Sequence, residues 1–335
     1  MEQKLLEVKD LTIQYVTEDG IVRAVNHVDF SIDRGASMGL VGETGAGKTT
    51  TCLGILQLLS SATGKIASGQ VLLNGEDLLK KSDKEMQKIR GAQISMIFQD
   101  PMTSLNPTKT IGVQIVENIR HHQKCSKGEA WTRMEEMLTK VGIDPARAVD
   151  YPHQFSGGMK QRVVIAMALV CNPSLLLADE PTSALDVTIQ AQVLEMIESL
   201  QREYHTAMLL ITHDLGIVAQ SCTTVGIMYA GEIVEYCSTE EFFQHTVHPY
   251  SRGLFSAIPR LDENVRRLNV IPGMMPDPVE LPEGCKFHDR CPYATAQCSK
   301  TAPDMVEVSP GHLVRCFLAN SLPAFSGGAG EKGGA

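Results

Sequence analysis

No apolar run in these 335 residues is long enough to cross a membrane. The longest, residues 163–171, is nine residues, and a spanning helix needs about 20. Any membrane role is therefore expected to run through a partner. The opening MEQKLLEVKD is charged and lacks the apolar stretch of a secretory signal, so none is expected. Basic charge is not in excess either. The formal net charge is −9, which gives no electrostatic footprint for DNA or RNA. Long internal repeats and sustained heptads are also missing. What is present, 43 % apolar and 21 % charged residues, suits a soluble globular chain with a sizeable core. The length allows one large domain or two moderate ones.

Nine cysteines occur. Without an export signal the reducing cytosol is the expected home, and disulfides are not expected. Cys52, Cys125, Cys171, Cys222 and Cys237 stand among apolar neighbours and read as small core residues. The other four gather near the C-terminus.

Alternating, β-branched stretches such as LLEVKDLTIQY and AVNHVDFSI predict strands in the first third. From about 100 to 172 the apolar spacing becomes three and four, which predicts helices. Strand and helix then alternate, from SLLLAD through TIQAQVLEMIESLQREY and AMLLIT to the strand pair in TTVGIMYAGEIVEY. Such alternation predicts an α/β protein with a largely parallel sheet, interrupted by a helical insertion. From 259 the chain turns Pro-rich and irregular. The final SGGAGEKGGA is low-complexity and expected to be disordered.

Gly42, Glu43, Thr44, Gly45, Ala46, Gly47, Lys48 and Thr49 spell GETGAGKT, followed by Thr50. This G-x-x-x-x-G-K-[ST] run lies between a predicted strand and a predicted helix, where a phosphate-cradling loop belongs. Its glycines let backbone N–H groups close on phosphate, and the helix N-terminus adds a favourable dipole. Lys48 is placed for the β- and γ-phosphates of ATP and the Thr49 hydroxyl for Mg²⁺. The apolar strand SLLLADE ends in two carboxylates. Asp179 is suited to the metal and Glu180 to the attacking water as general base. Alone, such a strand end is most simply a solvated terminus; paired with the phosphate loop it completes a nucleotide site.

Between these halves lies FSGGMKQR, with Ser156, Gly157 and Gly158 opening a predicted helix. Together with LLLADEPTSALD, this order of motifs resembles the signature motif, Walker B and D-loop of ATP-binding-cassette (ABC) ATPases. The resemblance implies a RecA-like P-loop core, a β-rich N-terminal part and the helical insertion. It implies that Gln99, in IFQDP, senses metal and water at the Q-loop; that His213, in LLITHD, is the switch histidine; and that Asp186 is the D-loop aspartate. It implies that Tyr15 stacks on adenine, with Asp179, Thr49 and Gln99 around Mg²⁺. Two cassettes would close head to tail, so that Ser156 and Gly158 serve the partner's nucleotide. The signature departs from the commonest form at Phe155 and Met159.

Cys285, Cys291, Cys298 and Cys316 are separated by five, six and seventeen residues. Four thiolates can hold a [4Fe–4S] cluster or a zinc ion, and spacing leaves the choice open. HPYSRGLFSAIP and IPGMMPDPVELPEGCKFHDRCPYATAQC are similar to the C-terminal region of oligopeptide and dipeptide permease ATP-binding subunits. That likeness implies a [4Fe–4S] cluster, with a structural role. It implies import of di- or oligopeptides, two transmembrane permease subunits, a paralogous second ATPase and an extracytoplasmic binding protein. The chain would then sit at the cytoplasmic face of the plasma membrane. The expected division is a nucleotide-binding domain over 1–258, an extension over 259–320 and a tail over 321–335. Nickel chelates or oligosaccharides are alternative cargoes. A non-transport ABC ATPase is the rival class, disfavoured by the single cassette and the acidic charge. Trp131, the single Trp, is expected in the helical core, and His288 and His312 are expected to be bystanders to the cysteines.

Overall fold

The computed structural model describes residues 4–183, 185–257, 271–323 and 325. Of the expected tail over 321–335, residues 321–323 and 325 are described, and the low-complexity stretch 326–335 lies outside the described residues. The chain divides into two compact units, one of residues 1–6, 31–37 and 72–211, the other of 7–30, 38–71 and 212–335.

The β-rich beginning runs through β1 (Lys4–Thr17), β2 (Gly20–Asp33) and β3 (Ser37–Val41). After residues 42–47 come α1 (Lys48–Ile55), β4 (Gly64–Leu73) and β5 (Glu76–Asp77). The middle holds α2 (Asp83–Ile89), β6 (Ile94–Ile97), α3 (Pro101–Ser104), α4 (Ile111–His122), α5 (Lys127–Lys140) and α6 (Gly157–Leu169). Next are β7 (Leu175–Asp179), α7 (Val187–Tyr204), β8 (Ala207–Thr212) and α8 (Leu215–Ser221). The last third contributes β9 (Thr224–Tyr229), β10 (Glu232–Ser238), α9 (Thr239–Gln244), α10 (Pro249–Ser256), β11 (Val306–Ser309) and β12 (His312–Val314).

In the first unit, β6, β7 and β8 form a parallel ladder, with Leu175 opposite Ile94 on one side and Ala207 on the other. All five residues of β7 are buried, which is why LLLAD reads as an unbroken apolar run and not as an alternating strand. The predicted helical insertion lies between β6 and β7. Ile111, Ile115 and Ile119 of α4 recur every fourth position and are fully buried, as are Ala130, Met134 and Leu138 of α5. Ser126 and Glu129 cap α5 reciprocally. Trp131 is not a core residue: it is half-buried, and its indole N–H donates to Glu135 at 3.0 Å along the same helix face.

In the second unit, β2, β1 and β4 neighbour one another in that order. β3 pairs with β9 in parallel, Leu40 opposite Gly226. β9 and β10 form the antiparallel pair expected from TTVGIMYAGEIVEY, joined at Ala230 and Gly231, both at positive φ. The extension is irregular over most of 271–305, as its prolines predict, but it ends in a hairpin that the sequence reading left out. β11 and β12 pair antiparallel, and β12 adds to the edge of β10, Val314 opposite Glu235. The turn has Gly311 at φ 76, which L-residues with a Cβ seldom adopt.

Candidate functional site

β3 ends at Val41 and delivers the chain into residues 42–47, after which α1 begins at Lys48. Glycine is required at two points. A Cβ on Gly42 would stand 2.1 Å from the Met228 carbonyl oxygen. Gly47, at φ 105, would place one 2.3 Å from that of Ala24. Lys48 is 6 % exposed and its ammonium donates to the carbonyls of Gly42, at 2.7 Å, and Glu43, at 2.9 Å. The cation is thus folded back into its own loop, beside the α1 N-terminus, where an anion is favoured. Thr44, Gly45 and Thr49 are exposed.

On the other unit, β7 carries Asp179, 2 % exposed, and then Glu180, whose N–H donates to the Ile211 carbonyl at 3.0 Å. Glu180 has φ 45, a left-handed conformation that costs a non-glycine residue roughly 1 kcal/mol or more. Gln99 follows β6, the parallel neighbour of β7, and its amide donates to Glu180 at 3.0 Å. Two residues separated by 81 positions are thereby brought together. Asp100 caps α3 immediately afterwards.

Ser156 and Asp186 are both helix N-caps, accepting from Met159 N–H at 3.4 Å and Ile189 N–H at 3.1 Å. Each therefore has a local structural job in addition to any role toward nucleotide. Ser156, Gly157 and Asp186 are exposed at those helix ends. His213 is exposed in the turn from β8 to α8, beside Asp214, the α8 cap. Tyr15 is half-buried on β1, its ring against Gly64.

Two residues near the phosphate loop escaped the motif reading. The Tyr250 hydroxyl accepts the Glu43 N–H at 2.9 Å, and Arg290 of the extension pairs with the Glu43 carboxylate at 3.0 and 3.1 Å. Both lie in the C-terminal stretches and outside the nucleotide motifs, and only the fold brings them to Glu43.

The four clustered cysteines are all reduced. Burial pushes the Cys285 thiol up to about 11, and Cys298, Cys316 and Cys291 push it the same way, so the four lie within electrostatic reach of one another. As donors they suit iron or zinc. Their arrangement does not: among the described residues no group of three or more His, Cys, Asp or Glu stands where it could hold a metal ion. The expected [4Fe–4S] cluster, and the zinc alternative, thus find no support in the geometry. His288 Nδ1 donates to the Cys285 carbonyl, 2.8 Å away. His312 lies apart, buried against Glu235 and Glu241. Among the described residues no helix is long and apolar enough to cross a membrane.

Comparison with known proteins agrees with this set of motifs. Residues 25–183 match the ABC transporter family and residues 234–298 the oligopeptide/dipeptide transporter C-terminal region. The chain is 49 % identical over 315 residues to the oligopeptide transport ATP-binding protein OppD of Escherichia coli, covering 93 % of each chain. It is 48 % identical over 318 residues to the dipeptide transport ATP-binding protein DppD of Bacillus subtilis, covering 94 % of this chain and 95 % of that one. Among solved structures it is similar to the dimeric post-hydrolysis state of the ATP-binding cassette MJ0796 bound to ADP and Pi. That match has a TM-score of 0.63 at 27 % identity, over 70 % of this chain and 98 % of the other. The cassette CbiO1 of Clostridium perfringens matches with a TM-score of 0.63 at 28 % identity, over 72 % and 91 %. A phosphate loop, a buried strand ending in paired carboxylates and a matching C-terminal region, all at nearly half identity along the chain, make this protein a member of the ABC transporter ATP-binding subunits, in the oligopeptide/dipeptide branch.

Proposed function

We propose that the chain hydrolyses ATP to power uptake of di- and oligopeptides through membrane permease partners. The observation that carries this reading is likeness along the whole chain, cassette and extension alike, to ATP-binding proteins of oligopeptide and dipeptide transport. Residues 1–258 would form the cassette and 259–320 the extension.

In this reading the Lys48 ammonium leaves its loop carbonyls for the β- and γ-phosphates. The loop N–H groups from Thr44 to Thr50 share the remaining charge. Glu180 accepts the proton of the water that attacks the γ-phosphorus, giving ADP and phosphate, and the Gln99 amide holds that carboxylate in place. His213 contacts the γ-phosphate and Tyr15 the adenine. Thr49, Asp179 and Gln99 offer only oxygen donors, which suit Mg²⁺; when bound, that ion offsets the phosphate charge. Ser156, Gly157, Gly158 and Asp186 would meet nucleotide held by a second, paralogous cassette. Exposure of Ser156, Gly157 and Asp186 at helix ends supports this.

The experiment is uptake of labelled di- and oligopeptides by cells carrying wild-type or Lys48→Ala protein. Loss of uptake in the variant is expected. Unchanged peptide uptake would remove the peptide cargo and direct the assay to nickel chelates and oligosaccharides. An extracytoplasmic binding protein and a location at the cytoplasmic membrane face belong to the same proposal, tested by co-purification from membranes. A [4Fe–4S] centre on Cys285, Cys291, Cys298 and Cys316 rests on donor chemistry alone. Iron and acid-labile sulfide in anaerobically purified protein, lost in Cys291→Ser, would establish it. Their absence from wild type would leave four structural thiols.

A further inference from the structure

We propose that Arg290, a residue of the C-terminal extension, is a positioning residue for ATP that holds the phosphate loop through Glu43. This rests on the reading of residues 42–49 as the ATP site.

Glu43 is the one carboxylate in GETGAGKT. A negative side chain in a loop that receives a triphosphate repels its ligand unless it is neutralised and turned aside. Arg290 does both. Its two terminal nitrogens meet the two carboxylate oxygens of Glu43 at 3.0 and 3.1 Å, the parallel fork that lysine cannot form.

The guanidinium is itself held rigidly. Nε donates to the Pro272 carbonyl at 2.9 Å, one terminal nitrogen also reaches the Ile271 carbonyl at 3.3 Å, and the other reaches the Tyr229 hydroxyl at 3.3 Å. With the two bonds to Glu43, each of its five N–H donors has an acceptor. The group also lies over the rings of Tyr229, at 5.7 Å, and Phe287, at 5.9 Å, a further cationic contact. Its side chain is 6 % exposed. Such a buried, fully engaged cation is costly to leave unpaired and serves to fix a position.

The position being fixed is that of Lys48. The Glu43 carbonyl accepts from Lys48 Nζ and from the Ala46 N–H, while its own N–H donates to Tyr250. Every polar group of Glu43, main chain and side chain, is thereby tied either to the loop or to what lies behind it. The same stretch of the extension also meets the loop at Gly45, where the Met275 methyl lies 3.1 Å from where a Cβ would stand, and it is tied to β2 by the Arg23 N–H, which donates to the Pro278 carbonyl at 2.9 Å. The extension thus contributes to nucleotide affinity from outside the cassette motifs.

The test measures ATP affinity of the full chain by displacement of a fluorescent ATP analogue, with ATPase KM and kcat in the assembled importer. Arg290→Met is expected to weaken ATP binding about tenfold, by exposing the phosphates to an uncompensated carboxylate. KM should rise accordingly while kcat changes little. Adding Glu43→Gln should bring affinity back to within about threefold of wild type, since the repelling charge is gone. A merely structural pin behaves otherwise: the double variant stays as weak as Arg290→Met or weaker, and that outcome overturns the proposal. If Arg290→Met does not fold, Arg290→Lys decides. It keeps the charge and loses the fork, and should weaken binding about two- to threefold; wild-type affinity there overturns the proposal. Failure of the wild-type chain to bind ATP overturns both this inference and the function on which it rests. Wild-type binding with unaltered variants overturns this inference alone.

Discussion

At the residue scale, Glu180 shows how local cost and chemistry coincide. It stands at φ 45, outside the regions that side chains prefer, and it is held there by its N–H bond to Ile211 and the Gln99 amide on its carboxylate. Glu180→Gln keeps size and hydrogen bonding but cannot take a proton. It should bind ATP as wild type does and slow hydrolysis by about 10² to 10⁴. Single-turnover phosphate release with bound ATP quantified in parallel checks this; hydrolysis within threefold of wild type removes Glu180 as the base.

At the element scale, the β11–β12 hairpin matters through what it buries. His312, at the start of β12, places Nε2 at 2.9 Å from Glu235 of β10 and Nδ1 at 3.3 Å from Glu241 of α9. Glu235, wholly buried, also accepts the N–H groups of Val247 and His248. Burial pulls the His312 pKa down, but the hydrogen bonds and charges of Glu235 and Glu241 outweigh it, and the net displacement is upward. A raised folded pKa contributes stability that is fully present below the unfolded value, about 6.5, and is lost as pH rises through the folded value. Burial holds nearby His248 down at about 4, so it stays neutral through that window. His312→Gln retains a donor for Glu235 and cannot carry charge. The gap in denaturation midpoint between wild type and His312→Gln should therefore be widest below about pH 6.5 and narrow above it. A gap constant across the window would show that His312 does not bind its proton more tightly in the folded state.

At the scale of the whole molecule, the extension is part of the second unit's core and edge. Phe287 is 2 % exposed and meets Tyr229, Tyr250 and His248 with ring centroids 5.2, 5.4 and 5.9 Å apart. β12 covers the outer edge of β10. Removing residues 271–335 would uncover those rings, strand Glu43 without Arg290 and open a sheet edge to pairing with other chains. The shortened protein is expected to aggregate on expression or to melt well below the full chain, as scattering and thermal unfolding would register. A monomeric fragment with an unchanged midpoint would show that the extension adds nothing to the fold.

The nucleotide motifs were legible in the chain itself because their chemistry is local. GETGAGKT needs only consecutive residues to turn a strand into a helix N-terminus, and LLLADE declares a strand buried on both faces by its unbroken apolar run. The helical insertion and the β9–β10 pair were equally readable, since periodicity and turn residues act over a few positions. Trp131 went astray because a lone aromatic on an amphipathic helix looks alike whether it faces the core or lies along Glu135. The cysteine spacing could suggest a metal but could not place four thiols around one. Tertiary structure alone decided the rest: the Gln99–Glu180 bond across 81 positions, the β12 addition to β10, and the grip of Arg290 on Glu43 across 247. These depend on where distant segments meet, and no local pattern of residue types encodes that meeting.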